Sequence, residues 1–88
     1  LSVNALAARA AMSPRTFIRH FAEVTGTTPA AWVREQRVRL AEQLLERDAT
    51  TIQAVARRCG FGSVDTLRRH FRRARGVGPE AYRTAFRT

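Results

Sequence analysis

With 88 residues, the chain is long enough for one small domain or for two very small ones that share a core. It carries sixteen basic residues, all arginine, against seven acidic residues, for a formal net charge of +9. This balance favours a polyanionic partner, nucleic acid before a membrane surface, and no apolar run is long enough to span a membrane. The single cysteine, Cys59, excludes an internal disulfide. Because the chain begins with Leu1 rather than Met, we expect it to be part of a longer protein.

The first thirty residues predict two helices joined by a tight turn. Ser2 can cap a first helix that runs to about Ala10. Ser13 can cap a second helix with Pro14 at its first position, and Gly26 ends it. The apolar residues at helical spacing are predicted to be buried: Val3, Leu6, Ala7 and Ala10 in the first helix, and Phe17, Phe21 and Val24 in the second.

A long linker helix is predicted next, from Ala30 to about Arg47, because this stretch lacks Gly and Pro and is rich in helix formers. A break follows at Asp48–Thr50. The residues that share one face of this helix are Val33, Leu40, Ala41 and Leu44.

The rest of the chain repeats the first part. SPRTFIRHF and SVDTLRRHF begin at Ser13 and Ser63, fifty positions apart, and both end in Arg-His-Phe. Thr51 caps the repeated first helix, and Gly60 suits its left-handed end. The predicted buried residues of the second copy are Ile52, Val55, Ala56 and Cys59, then Leu67, Phe71 and Ala74. The repeat therefore predicts an all-α pseudo-symmetric pair: a helix-turn-helix over 1–29, the linker helix over 30–47 and a second helix-turn-helix over 48–88.

The outward faces of the two repeated helices carry the arginines. Arg15, Arg19 and Ala22, flanked by Thr16 and Ile18, lie opposite the apolar side of the first. The second presents Asp65, Arg69 and Arg72, flanked by Thr66 and Arg68. A single exposed arginine is more often a solvated surface residue, but matched arginines on matched helices favour DNA recognition, since a guanidinium can donate to guanine or to phosphate.

Two unlike recognition helices in one chain predict a monomer that binds an asymmetric site in successive major grooves, without the dimerisation that most such proteins use. The charge is uneven: residues 1–50 have seven arginines and five acidic residues, and residues 51–88 have nine and two. Sequence-independent affinity is therefore expected mostly from the second half.

The second copy also resembles a known family. The residues that carry the resemblance are Gly60, Phe61, Gly62, Ser63, Leu67, Arg69, Phe71, Arg72, Gly76, Pro79, Tyr82 and Arg83. They are similar to the signature of AraC/XylS-type transcriptional regulators. The stretches Met12–Thr16 and Gly26–Pro29 most resemble the branch with an N-terminal glutamine-amidotransferase-like domain.

The resemblance implies a seven-helix, two-subdomain module that regulates transcription in the bacterial cytoplasm, at the nucleoid. Its partner would be double-stranded DNA, with RNA polymerase as a further partner of the full-length protein. It implies base contacts from Arg15, Ile18 and Arg19 in the first copy, and from Val64, Asp65, Arg68 and Arg69 in the second.

Two departures from the family pattern matter. Ala11 stands where the second copy has Gly60, so the first turn is predicted to be less sharply kinked. Ile18 and Asp65 are not residues that generally favour DNA: Ile18 could touch a thymine methyl group, and Asp65 could accept a hydrogen bond from cytosine. Asp65 could instead be a helix-start residue favoured by the helix dipole, and we favour that interpretation.

Other chemistry has little support. His20 and His70 are matched but have no zinc-ligand spacing, and Trp32 and Tyr82 are interpreted as core anchors. We expect no catalytic site, metal or cofactor. The competing hypothesis is a basic helical module that docks an acidic protein, which should spread its arginines around the surface.

Overall fold

The computed structural model describes residues 2–47 and 50–87, without the side chain of Arg87. In these residues it contains helices and no strand, which confirms the all-α prediction. No helix there combines the length and apolar character that crossing a membrane requires. The predicted break at Asp48–Thr50 lies mostly outside the described residues. The helices are α1 (Val3–Arg9), α2 (Pro14–Thr25), α3 (Pro29–Arg47), α4 (Ile52–Arg58), α5 (Val64–Arg75) and α6 (Pro79–Arg87).

The chain divides into two compact units, an N-terminal unit that ends at Glu35 and a C-terminal unit that begins at Gln36. The boundary falls inside α3, which is one continuous helix. The predicted segments 1–29, 30–47 and 48–88 remain a prediction about how the chain is organised for function.

The predicted helix starts are confirmed by their hydrogen bonds. In each short helix-turn-helix, a hydroxyl at the N-cap accepts from a backbone N–H three residues later, which satisfies a donor that the helix cannot pair. The distances are 3.1 Å for Ser2 and for Thr51, 3.2 Å for Ser13 and 3.1 Å for Ser63. Gly26 and Gly76 end α2 and α5 in the left-handed conformation.

The N-terminal unit has a thin core. Helix α1 packs against α2, and Ala7, Pro29 and Val33 are buried. Phe17 and Phe21 are only half-buried, and α2 has no fully buried residue. Aromatic contacts supply much of the packing, with ring centroids 5.7 Å apart for Phe17–Phe21 and 6.3 Å for Phe21–Trp32.

The C-terminal unit has a continuous core. Leu67 and Phe71 of α5 are fully buried, in contact with buried residues of α3 and α4. Tyr82 of α6 packs edge-on against Phe71, with ring centroids 5.4 Å apart. The buried members of this cluster are Val38, Ala41, Leu45, Val55, Ala56, Cys59, Phe61, Leu67 and Phe71.

The structure corrects several predicted core positions. Ala10, Val24 and Ala74 were expected to be buried but are exposed, Val24 by 70%. Leu40 is also exposed, and α3 instead buries Val38 and Leu45. Trp32, predicted as a core anchor, keeps 38% of its surface exposed. A helical wheel gives only the direction of a side chain, and burial requires a neighbouring element that reaches that point of the helix.

The prediction for the first turn is wrong. Ala11 has φ 56, in the same left-handed region as Gly60, at φ 83. The two turns also share a hydrogen bond, from Met12 N–H to Ala7 C=O (3.0 Å) in the first copy and from Phe61 N–H to Ala56 C=O (2.9 Å) in the second. This is the Schellman arrangement, in which closing the helix end requires the left-handed residue whatever its side chain. The first turn is therefore kinked like the second and carries the strain of a Cβ there.

Candidate nucleic-acid interface

The beginnings of α2 and α5 have the same local design. Ser13 accepts from the Thr16 N–H, and its hydroxyl donates to the Thr16 hydroxyl at 3.0 Å. Ser63 and Thr66 repeat both contacts, with 3.0 Å between the hydroxyls. Thr16, which flanks the outward arginines and which we include among the predicted DNA contacts, is thus part of the helix cap, and the serine holds its side chain in place.

The outward face of α2 is open. Arg15, Thr16 and Arg19 are exposed, and Ile18 keeps 42% of its surface exposed beside them. His20, which follows Arg19, is exposed too. The structure therefore brings the predicted contact residues of the first copy together on one accessible side of a single helix, at its N-terminal end.

The outward face of α5 is less uniform than that of α2, because an acidic residue lies among its arginines. Arg69 and Arg72 are exposed, and so is Asp65. Val64 differs from the other predicted contacts because it is half-buried and packs against the core cluster. It contributes to the fold as well as to the surface.

Arg68 has a partner that was not predicted from the sequence. Its Nε donates to Glu80 Oε2 at 2.9 Å, and its Nη2 donates to the same oxygen. Asp65 Oδ1 lies 3.8 Å from Nη1. The hydrogen bond from Arg68 holds the pKa of Glu80 below its ordinary value. Glu80 lies on α6, twelve residues after Arg68. The only indication of this pairing in the sequence is that the N-terminal copy has Ala30 at the position that corresponds to Glu80.

Two polar contacts connect the long helix to the elements around α5. Arg75, in the last turn of α5, donates from Nε to Glu42 Oε2 (2.8 Å) and from Nη2 to Oε1 (3.0 Å). Both side chains are mostly buried, and a two-point contact restricts rotation more than a single hydrogen bond. Tyr82 donates its hydroxyl to Glu46, which raises the pKa of Tyr82 to about 12.

An open groove lies beside the N-terminus of α5, at the turn that follows α4. Polar groups along it include Gln53, Arg57 and Ser63. Arg57 is exposed, so this part of the C-terminal unit adds positive charge next to the outward face of α5. Neither Gln53 nor Arg57 was predicted from the sequence to belong to the interface.

Two of the residues whose side chains could bind a metal, Cys59 and His70, are packed within the C-terminal unit, whereas His20 is exposed beside Arg19 on α2. Cys59 is buried, which raises the pKa of its thiol to about 11. His70 stacks against Phe61, with ring centroids 5.6 Å apart. Among residues 2–47 and 50–87 there is no group of three or more His, Cys, Asp or Glu side chains that could hold a metal ion.

Comparison with known proteins points to one family. Residues 6–85 match the model of a helix-turn-helix domain. The chain is 45% identical over 84 residues to the HTH-type transcriptional regulator Rv1931c of Mycobacterium tuberculosis, covering 96% of this chain and 32% of that protein. It is 33% identical over 86 residues to the transcriptional activator RclR of Escherichia coli, covering 98% of this chain and 30% of RclR. The chain thus spans about a third of the length of these relatives.

A solved structure gives the same picture. The DNA-binding domain of AdpA, a global transcriptional factor crystallised with a target DNA, is 50% identical to this chain with a TM-score of 0.92. The similarity covers 99% of this chain and 78% of that one.

Proposed function

The chain belongs to the AraC-type helix-turn-helix family of transcriptional regulators, and from this premise we propose that it is a sequence-specific DNA-binding domain that regulates transcription. The observation that carries the proposal is the matched pair of capped helices, α2 and α5. Each presents exposed arginines on the side opposite its core residues. The similarity of the chain to a domain crystallised with a target DNA supports the same role.

The two helices are proposed to contribute differently. Arg15 and Arg19 on α2 are proposed base contacts, with Ile18 beside them to touch a thymine methyl group. On α5, Arg69 is the proposed base contact that corresponds to Arg19. Arg72 is proposed to contact phosphate, because it is exposed in the most basic part of the chain.

The wider role follows from the family. We propose that the domain acts without catalysis, as a monomer, and that its two recognition helices occupy successive major grooves. In the full-length protein it would act on the bacterial nucleoid, with RNA polymerase as a further partner. A footprint on the bound duplex tests the groove assignment, since two occupied grooves protect about two turns of DNA.

The decisive experiment is selection from a random duplex library, followed by affinity measurements on the selected duplex and on a scrambled duplex of the same composition. Replacing Arg19 by Gln is expected to cost about 1–3 kcal/mol on the selected duplex and little on the scrambled one, because a bidentate contact to guanine is lost. The control is Arg47→Gln, an exposed arginine at the end of α3 that should change both affinities equally.

Two results would contradict the proposal. If selection enriches no sequence, the exposed arginines serve another purpose, such as docking an acidic protein. Equal losses of Arg19→Gln on both duplexes would make α2 a phosphate-binding helix rather than a recognition helix.

A further inference from the structure

The Arg68 side chain lies between two carboxylates. Glu80 accepts from Nε and Nη2, and Asp65 approaches Nη1 at 3.8 Å. All three side chains remain accessible, with exposed fractions of 51% for Arg68, 47% for Glu80 and 92% for Asp65. Any group that binds Arg68 therefore meets two negative charges at the same place.

The internal repeat shows that this arrangement belongs to one copy. Fifty positions earlier, Ile18 corresponds to Arg68 and Ala30 corresponds to Glu80. The copy without the extra arginine also lacks the acid that binds it. Arg15 corresponds to Asp65, so the second carboxylate is absent there as well.

Stability is a weak explanation for the pair. Ion pairs between exposed side chains typically contribute little to folding stability, because water screens them. The larger consequence concerns DNA, because an exposed arginine on a recognition helix can neutralise a phosphate of any sequence. A phosphate that approaches Arg68 is repelled by both carboxylates, whereas guanine O6 and N7 are uncharged acceptors.

We propose that Glu80 is a specificity-determining residue: by holding the Arg68 guanidinium, it prevents this side chain from acting as a sequence-independent phosphate contact. The inference rests on the proposed function, because it assigns a role in DNA discrimination to a residue outside the recognition helix. Glu80 acts through Arg68 and is therefore a positioning residue.

The test measures Glu80→Gln on the duplex selected by the unaltered chain and on its scrambled version, over a range of salt concentrations. Freeing Arg68 is expected to raise the affinity for the scrambled duplex about fivefold and to steepen its salt dependence by up to about one unit. The affinity for the selected duplex should rise less, so the ratio between the two duplexes falls.

A double-substitution cycle separates this effect from the simple loss of a negative charge. In a chain with Arg68→Gln, adding Glu80→Gln should leave only the small general effect of charge. Glu23→Gln, which removes an exposed acid from α2, measures that general effect in the other unit. If Glu80→Gln has the same effect with and without Arg68, or no more effect than Glu23→Gln, the inference is overturned.

Glu80→Asp keeps the result interpretable if the glutamine variant loses helix stability, because Glu80 lies in the first turn of α6, where a negative charge is favourable. The shorter side chain keeps the net charge but withdraws the carboxylate from Arg68. It should also lower the ratio between the affinities for the two duplexes, and an unchanged ratio in a folded variant contradicts the inference.

If the unaltered chain enriches no sequence, the proposed function fails and this inference fails with it. Enrichment with an unchanged ratio in the Glu80 variants overturns this inference alone.

Discussion

The two units of this chain use the same local signals and obtain different interiors. Phe17 and Phe21 on α2 occupy the positions of Leu67 and Phe71 on α5, fifty residues later. The first two are half-buried, whereas Leu67 and Phe71 have no exposed surface. The matched sequences therefore define where each helix begins and which of its sides is apolar. How much of that apolar side is buried depends on the surrounding helices.

The units also differ in charge. The part of the chain up to Glu35 has four arginines and two acidic residues, and the part from Gln36 has twelve and five. Some of the additional charge is paired, as in Arg75–Glu42 and Arg68–Glu80. The C-terminal unit thus combines the larger core with the larger positive charge, and we expect it to supply most of the stability and most of the sequence-independent affinity.

The largest expected effect compares the two matched phenylalanines. Phe71→Ala should lower the free energy of unfolding by about 3–5 kcal/mol, because it removes a fully buried ring. Phe21→Ala should cost less, about 1–3 kcal/mol, because its ring is already partly in water. Urea denaturation followed by circular dichroism measures both. Equal losses of unfolding free energy would mean that the two interiors are energetically equivalent, which would contradict the difference in burial described above.

The two turns provide a pair of opposite substitutions. Gly60→Ala should destabilise the chain by about 1–2 kcal/mol, because alanine is strained at this φ and its Cβ would lie 3.2 Å from Arg37 Nε. Ala11→Gly should stabilise it by about 0.5–1 kcal/mol, because the residue is already left-handed. Thermal unfolding of both variants measures this. A destabilising Ala11→Gly substitution would show that Ala11 carries no strain.

The charge difference between the units can be reduced by matched substitutions on α2 and α5. Arg72→Gln should flatten the salt dependence of binding to random DNA by up to about one unit, since one phosphate contact is lost. The position that corresponds to it on α2 is Ala22, which is exposed. Ala22→Arg should steepen the salt dependence by a similar amount. A salt titration that finds no change for Arg72→Gln would remove Arg72 from the phosphate contacts.

The smallest expected effect concerns Cys59, which reports on the C-terminal unit alone. Its thiol is buried, and its raised pKa keeps it protonated at neutral pH, so a thiol reagent should react very slowly with the folded chain. Labelling should accelerate with Phe71→Ala but much less with Phe21→Ala. Rapid labelling of the unaltered chain would show that this core opens readily.

The fold is expected to need neither a disulfide nor a metal. Reductant or chelator should therefore leave the circular dichroism spectrum unchanged.

The sequence by itself determined where the helices of the two repeats begin, the repeat itself and the outward faces of α2 and α5. Ser13 and Ser63 could be identified as caps because a cap is satisfied within three residues, whatever the rest of the chain does. The glycines that end α2 and α5 follow from backbone conformation, which is also local. The faces of Arg19 and Arg69 follow from helical geometry once the buried side of each helix is known.

Tertiary structure decided the features that depend on residues distant in the sequence. Val38 is buried and Val24 is exposed, although both are valines on helices, because only one of them lies where other helices cover it. The left-handed conformation of Ala11 is a local exception: the hydrogen bond from Met12 to Ala7 spans only five residues, but alanine rarely adopts this conformation and so does not indicate it in the sequence. The pairing of Arg68 with Glu80 depends on how α5 packs against α6, and helical periodicity within either element contains no information about that packing.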